Sequence, residues 1–356
     1  MLLKPSSARH ILAAGVVPPL AQLPLDNWVQ KDLSKSYVGS LAALSSSCTE
    51  AFRRLVEELA ELKARGGELL AELDPKPLQP RRPRGVFCSS DAGYSGVELV
   101  SGYLPLVSAV ACVFASRPSP VDILSACYSP SEVWSSEDTP SDRASLVALR
   151  LQAEVSASAL EKWRPSLLVW DGSLTPPTWL KRGSEGYMRD YRSASEALLS
   201  LIDTCVSRGV VVAGVVKRAR SSELARQLNG GKLRDAALCA MLLPRSYRTR
   251  LLKSSRGVVY CYVKAATGRV VRVEFPGEQE AEAEQAVDEV FCWSSPASGL
   301  PVPVEVADHY AKVSPKSARA AALSLLTRVM KRVSSGELPA EALAALAPLY
   351  GEKLEV

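Results

Sequence analysis

Histidine and asparagine are almost missing from this chain: His10, His309, Asn27 and Asn229 are the only examples among 356 residues. With two histidines, and eight cysteines that never approach a C-x-x-C spacing, the sequence carries no zinc motif of the His/Cys kind. The cysteines (48, 88, 112, 127, 205, 239, 261 and 292) mostly sit in apolar runs such as Ala111-Cys112-Val113, and they read as small buried hydrophobes in a reducing compartment. Any metal must therefore rest on carboxylates, which suit Mg2+ or Mn2+. Scarce asparagine, a thermolabile side chain, fits a thermophilic source or a GC-rich genome equally, and a hyperthermophilic source leaves an intracellular disulfide open. No apolar stretch reaches the roughly 18 residues of a membrane helix. The run after Lys4 and Arg9 is short and ends at Pro18-Pro19, so it is no convincing signal peptide, and a soluble cytoplasmic protein is expected. The segment LNGGK lacks the leading Gly and trailing Ser/Thr of a P-loop, so the chain is not expected to hydrolyse ATP.

What the chain does contain is a large apolar fraction, 47%, enough for a core of its own, and a mild basic excess of 43 Lys and Arg over 38 Asp and Glu. That excess permits a nucleic-acid partner without requiring one. Residues 1–35 mix Pro, Leu and Lys without a period and suggest an irregular arm. Residues 36–73 carry apolar side chains at helical spacing, broken near Gly66-Gly67. DPKPLQPRRPRG, at 74–85, holds four prolines and four basic residues and reads as a linker. The expected organisation is an N-terminal arm, helices and linker over 1–85, a main domain over 86–335 and a helical tail over 336–356.

Strand patterns follow at 86–90, 97–103 and 107–114, with Asp91, Gly93 and Gly96 read as the turn between the first two. A Pro/Ser-rich passage, 117–140, precedes a helix at about 141–163 capped by Ser141-Asp142. A buried-strand pattern, LLVWDGS, then ends in Asp171. A second helix spans 188–207 and stops at Gly209, and 210–216 is the most apolar strand of the chain. Further helices are expected near 232–242, at 278–290 and from about 304, with strands at 258–264 and 270–275. The resulting order, β-β-β-α-β-α-β, is that of an α/β protein with an RNase H-like core: a mixed sheet of three antiparallel strands followed by parallel crossovers, with N-terminal and C-terminal helical additions.

Acids on the first strand, on the first long helix and at the end of the fourth strand are placed to hold two divalent cations for phosphodiester cleavage. Asp91 and Asp171 are the strand acids. Glu154 and Glu161, seven residues apart, share one helical face, and spacing alone does not choose between them. Candidate phosphate contacts are Lys217, Arg218 and Arg220 at a strand end. The basic segment 244–256 adds Tyr247, as a stacking platform, with Arg248, Arg250, Lys253 and Arg256. An insert after Asp171, with Trp179, Lys181, Arg182, Tyr187 and Arg189, would overhang the site. Asp235 either ligates metal or pairs with Lys232 or Arg234.

DAGYSG at Asp91, Glu154, WDGS at Asp171, VVKR around Lys217 and LRDAAL around Asp235 together resemble the NurA family, archaeal nucleases that process DNA ends with the HerA translocase. The resemblance spans about 86–320. In the family the helix acid precedes the strand-end acid by seventeen residues, and 171 − 154 = 17, which favours Glu154. The resemblance implies a metal site of Asp91, Glu154 and Asp171 loaded with Mn2+ or Mg2+ and cleavage of single-stranded DNA and duplex ends. It also implies a homodimer docked on a hexameric HerA-type ring. It departs from the family near the C-terminus: in LPVPVEVADHY, Leu300 stands where the family has tyrosine and Asp308 where it has histidine. His309 comes one residue late and remains a candidate catalytic group. The rivals are a catalytically silent RNase H-like adaptor that binds DNA and clamps a translocase, and a junction resolvase or transposase of the same fold.

Overall fold

The computed structural model describes residues 48–347 except 51, 55, 58–59, 129–133, 135–138, 181–184 and 230–232. The expected arm over 1–35, with His10, and the side chains of Lys181, Arg182 and Lys232 lie outside the described residues. Internal contacts divide the chain into units of 1–62 and 63–356. In the first unit the described residues are helical, and Arg53 pairs with Glu50 at 2.8 Å and with Glu57 at 2.5 Å.

The second unit begins with α1 (Gly66–Leu73) and β1 (Lys76–Pro77). The long hairpin β2 (Phe87–Leu99) and β3 (Gly102–Phe114) follows, then β4 (Asp122–Tyr128). Next come α2 (Pro140–Trp163), β5 (Leu167–Asp171), α3 (Glu185–Ser207) and β6 (Val211–Val216). The remainder comprises α4 (Glu223–Gln227), α5 (Asp235–Leu242), β7 (Tyr247–Arg248) and β8 (Leu252–Lys253). Two longer strands, β9 (Val258–Lys264) and β10 (Val270–Pro276), precede the helices α6 (Glu280–Val290), α7 (Val302–Ala311), α8 (Pro315–Ser334) and α9 (Glu341–Ala345). The strands form one mixed sheet in the order β1-β7-β9-β10-β6-β5-β2-β3-β4, with β8 on β9. β5 is parallel to both β2 and β6, and the remaining pairs are antiparallel.

Alternation along each strand divides the core in two. On one face Phe87, Val110, Leu167, Val169, Ala213, Val215 and Val273 pack under α6 and α7 through Ala283, Val287, Val304 and Ala307. On the other, Cys88, Ala111, Leu168, Trp170 and Val212 pack under α2 and α3 through Val147, Leu151, Leu198 and Leu201. β5 and β6 are covered on both faces, which is why their sequences are continuous apolar runs. Each large side chain buried completely here contributes roughly 1.5–3 kcal/mol.

Three expectations are corrected. The segment DAGYSG is no turn: β2 runs straight through it, and the hairpin turns at Val100-Ser101 between the paired Leu99 and Gly102. Its glycines serve close approach rather than reversal. A Cβ on Gly93 would lie 2.5 Å from the carbonyl oxygen of Ala311 in α7, and one on Gly96 would meet the Tyr103 ring at 2.2 Å. The third strand of the meander is β4, inside the passage 117–140 read as an interruption, and 97–103 and 107–114 are parts of β2 and β3. At the start of α2 the N-cap is Thr139, with no side-chain cap bond, and not Ser141.

The linker at 74–85 is tied down. Leu78 N donates to Ser246 O at 2.9 Å, and Gln79 N donates to Asp288 Oδ1 at 2.9 Å. Of the cysteines, 88, 112, 205, 239 and 261 are buried, while Cys48 and Cys127 are exposed, and no disulfide forms. Burial pushes the thiols of Cys112, Cys205 and Cys261 up to about 12, so they stay protonated and inert.

Candidate metal centre

Ser90 opposite Trp170 is the last pair between β2 and β5. Asp91 and Asp171 each follow by one residue and therefore stand side by side. Beyond this point β2 continues along β3 alone, which opens a notch beside it. Val215 is opposite Asp171 on β6, and Lys217, two residues beyond, falls on the same face. All three side chains continue rows whose earlier members, Phe87, Val169 and Val215, are core residues of the face covered by α7. α7 packs into the notch because Gly93 lets its last turn approach, and it carries Asp308 to the same point.

Carboxylate oxygens of Asp91, Asp171 and Asp308 lie within 4.8 Å of one another. Lys217 Nζ stands 2.5 Å from Asp171 Oδ2 and 2.6 Å from Asp308 Oδ1. The backbone N–H of Ala92 donates to Asp91 Oδ1 at 2.7 Å. From the other face of the sheet, Gln152 of α2 donates through Nε2 to the carbonyls of Ser90, at 2.9 Å, and Asp171, at 3.3 Å, which ties together the two strand segments that bear the acids.

Three carboxylates against one ammonium leave surplus negative charge, with Asp91 and Asp171 largely shielded from solvent and Asp308 at the exposed rim. Burial, with the neighbouring Asp171 adding to it, pushes the Asp91 carboxyl up to about 8. Asp171 is also raised by burial, held back by Lys217. Burial opposes the charge on Lys217, but Asp171 and Asp308 outweigh it and raise the ammonium above its ordinary value. Hard oxygen donors, partly uncompensated and converging on one point, fit a divalent cation such as Mg2+ or Mn2+.

A family model described as the NurA domain matches residues 91–313, more than half of the 356-residue chain. The chain belongs to the NurA family. Solved NurA structures share its fold. The NurA nuclease from Sulfolobus solfataricus is 15% identical with a TM-score of 0.54, over 81% of this chain and 96% of that one. A second NurA structure is 13% identical with a TM-score of 0.58, over 83% and 99%. A NurA structure with manganese is 12% identical with a TM-score of 0.58, over 80% and 98%. No curated protein sequence matched the chain.

The helix acid expected from NurA kinship is not at this centre. Glu154 is 54% exposed and paired with its neighbour Arg150 at 3.4 Å. α2 packs on the opposite face of the sheet, and the residue it turns toward the strand ends is Gln152. Glu154 is two residues on, rotated by about 200° at 100° per residue. Glu161 pairs with Arg208 at the exposed end of the helix. His309 is exposed as well, edge-on to Tyr310; Asp308 is also exposed, but its carboxylate is directed to Lys217 and the two strand acids, and His309, 100° further round the helix, is not part of that cluster. Leu300 is buried in the core and offers no hydroxyl.

Arg218 and Arg220 are exposed just beyond Lys217. Tyr247 and Arg248 lie on β7, four strands from β5 in the sheet order, or roughly 19 Å at about 4.8 Å per strand. Arg248 is buried, ion-paired with Glu284, and gives Nη1 to Thr249 O at 3.2 Å, so its role is structural. Asp235 is fully buried and accepts from Ala225 N at 2.8 Å and Tyr262 Oη at 2.9 Å, also structural. In the insert after Asp171, Trp179 is exposed, whereas Tyr187 packs against Leu146 and Tyr191.

Sequence reasoning missed Gln152 and Glu274. A buried Glu274 on β10 accepts from Ser173 Oγ at 2.8 Å and Leu174 N at 2.9 Å, fixing the turn that follows Asp171. The available signals were a polar residue inside the apolar stripe of α2 and two charges, Arg272 and Glu274, two apart in an otherwise apolar strand.

Proposed function

We propose that this chain is a divalent-metal-dependent nuclease that hydrolyses phosphodiester bonds of DNA, both single strands and duplex ends. In this reading it acts in DNA end processing as a homodimer docked on a hexameric HerA-type translocase. The observation that carries it is the convergence of Asp91, Asp171 and Asp308 within 4.8 Å at the strand ends of a NurA-family sheet. The core is read as RNase H-like, with Asp308 supplying the third carboxylate expected of Glu154. The manganese of a NurA structure supports Mn2+ as the metal.

Divalent cations held there would supply water activation and stabilisation of the charge that develops on the phosphate, as in a two-metal site. The chain's own groups do the holding. Asp91 and Asp171 are fixed by the sheet register, by Gln152 and by the Ala92 N–H. Asp308 closes the set from α7. Lys217, already bridging two carboxylates, is placed to exchange one of them for a phosphate oxygen when substrate enters. Arg218 extends the positive charge beyond it.

Mn2+-dependent cleavage of an end-labelled oligonucleotide, abolished by EDTA and by Asp91→Ala or Asp171→Ala in folded protein, tests the proposal. Undiminished cleavage by either variant refutes the assignment. A second reading, the catalytically silent adaptor, draws on the exposed Glu154, the buried Leu300 and the lysine seated between the acids. It predicts DNA binding with no metal-dependent cleavage by the wild-type chain.

A further inference from the structure

At the same end of the sheet as the acids, but on its other face, lies a cleft of about 730 Å3. Its walls are arginine and serine. Arg220, Arg226 and Arg256 stand at the rim, Arg272 forms part of the floor, and Ser221, Ser222, Ser254 and Ser255 supply hydroxyls. Against these four cations stand two carboxylates, Glu223 and Glu274. Glu274 is already committed: Arg272 Nε lies 2.8 Å from its Oε1, while Ser173 and Leu174 hold its Oε2. Arg272 is buried with its guanidinium stacked 3.7 Å over the Tyr260 ring, so the floor holds a fixed guanidinium balanced by Glu274, and the surplus charge of the cleft comes from the arginines at its rim. Arg220 and Arg256 form no ion pair among the described residues. A polar cavity with unpaired cations, hydroxyl donors and a preset guanidinium is complementary to a phosphate ester. Its size suits one or two nucleotides.

The cleft is continuous with the metal centre in the chain. Ser173 is two residues from Asp171, and Val216 is the immediate neighbour of Lys217. Two residues span at most about 7 Å of backbone, comparable to the step between successive phosphates.

We propose that this cleft is a nucleotide-phosphate site. It takes either a backbone phosphate of the strand that passes over the ends of β5 and β6 or the phosphate of a released mononucleotide. The inference rests on the nuclease reading for the identity of the anion; the complementarity of the cleft to a phosphate ester stands without it.

The test is fluorescence anisotropy of a short labelled oligothymidylate in EDTA, where no cleavage competes. It is run for wild type, Arg220→Ala/Arg256→Ala and Arg220→Lys/Arg256→Lys, across a salt series and with thymidine monophosphate as competitor. Both arginines are exposed, so folding is not at stake. Alanine is expected to weaken the binding of strand or mononucleotide about tenfold or more. For a strand, the slope of log affinity against log salt falls by about 1.4, from two contacts at about 0.7 each. Lysine keeps the slope. If the strand alone responds, the site is a backbone track; if the mononucleotide competes and its binding responds, it is a product site. Unchanged affinity for both, with an unchanged salt slope, overturns the proposal. A wild-type chain that binds through the cleft but never cleaves with Mn2+ sinks the nuclease reading and leaves this one standing.

Discussion

Asp91, pushed up to about 8 by burial and by Asp171, keeps its proton at neutral pH when no metal is present. Two consequences follow with opposite signs. A cation must displace that proton, so Mn2+ affinity measured by calorimetry is expected to rise through the neutral range and level off above about pH 8. Because the folded-state value is raised above the ordinary 3.8, the contribution to stability is complete below that value and is lost as pH climbs to about 8. Thermal melts in EDTA should therefore fall over this window, and Mn2+ should recover the difference. A flat melting profile in EDTA would contradict the burial argument. The same scale separates two acids that look alike in sequence. Asp308→Ala is expected to cost Mn2+ affinity about tenfold or more, while Glu154→Ala, which removes an exposed partner of Arg150, should leave it unchanged.

α7 delivers Asp308 only because β2 is bare at Gly93. A Cβ there would sit 2.5 Å from the Ala311 carbonyl, a backbone atom that cannot swing aside. Gly93→Val is expected to cost about 1–3 kcal/mol and to move the last turn of α7, so that metal affinity falls together with the denaturation midpoint. A variant with full stability and full metal binding would show that the approach of helix to strand is not what seats the acid. β10 acts in the same way on the other side, since Glu274 pins Ser173 and Leu174 immediately after Asp171.

Over the whole molecule, the ten-stranded sheet carries the candidate metal centre at the ends of its central parallel strands, and its distal edge serves stability. Arg248, which the sequence suggests as a DNA contact, is part of that edge and joins β7 to α6 through Glu284. Arg248→Ala should lower stability by about 1–3 kcal/mol and leave oligonucleotide affinity where it was, measured by denaturation and by anisotropy. The hairpin tip is held in turn by the chain end: Val97 and Leu99 pack on Ala318 and Ala322 of α8, and Ser101 N donates to Ala345 O at 3.1 Å. The proposed homodimer is checked by sedimentation at micromolar concentration, where the mass of a single chain counts against it.

The sequence by itself determined most of the buried strands and long helices, though not the hairpin turn at Val100-Ser101 or β4. Hydrophobic period is a local property, and it is strongest in β5, β6, α2 and α3, where both faces or one broad stripe are covered. It also determined that any metal would rest on oxygen, because histidine is nearly absent, and it marked Asp91 and Asp171 as strand-borne acids. Tertiary structure alone decided the third carboxylate. Whether Asp308 or His309 reaches the strand acids is a matter of 100° of helix rotation, and whether Glu154 or Gln152 faces the strands depends on which side of the sheet α2 covers. Neither is written in spacing along the chain. The glycines of DAGYSG show the same division: local rules read them as a turn, and only the arrival of α7 and the Tyr103 ring from distant sequence shows them to be gaps kept open for packing.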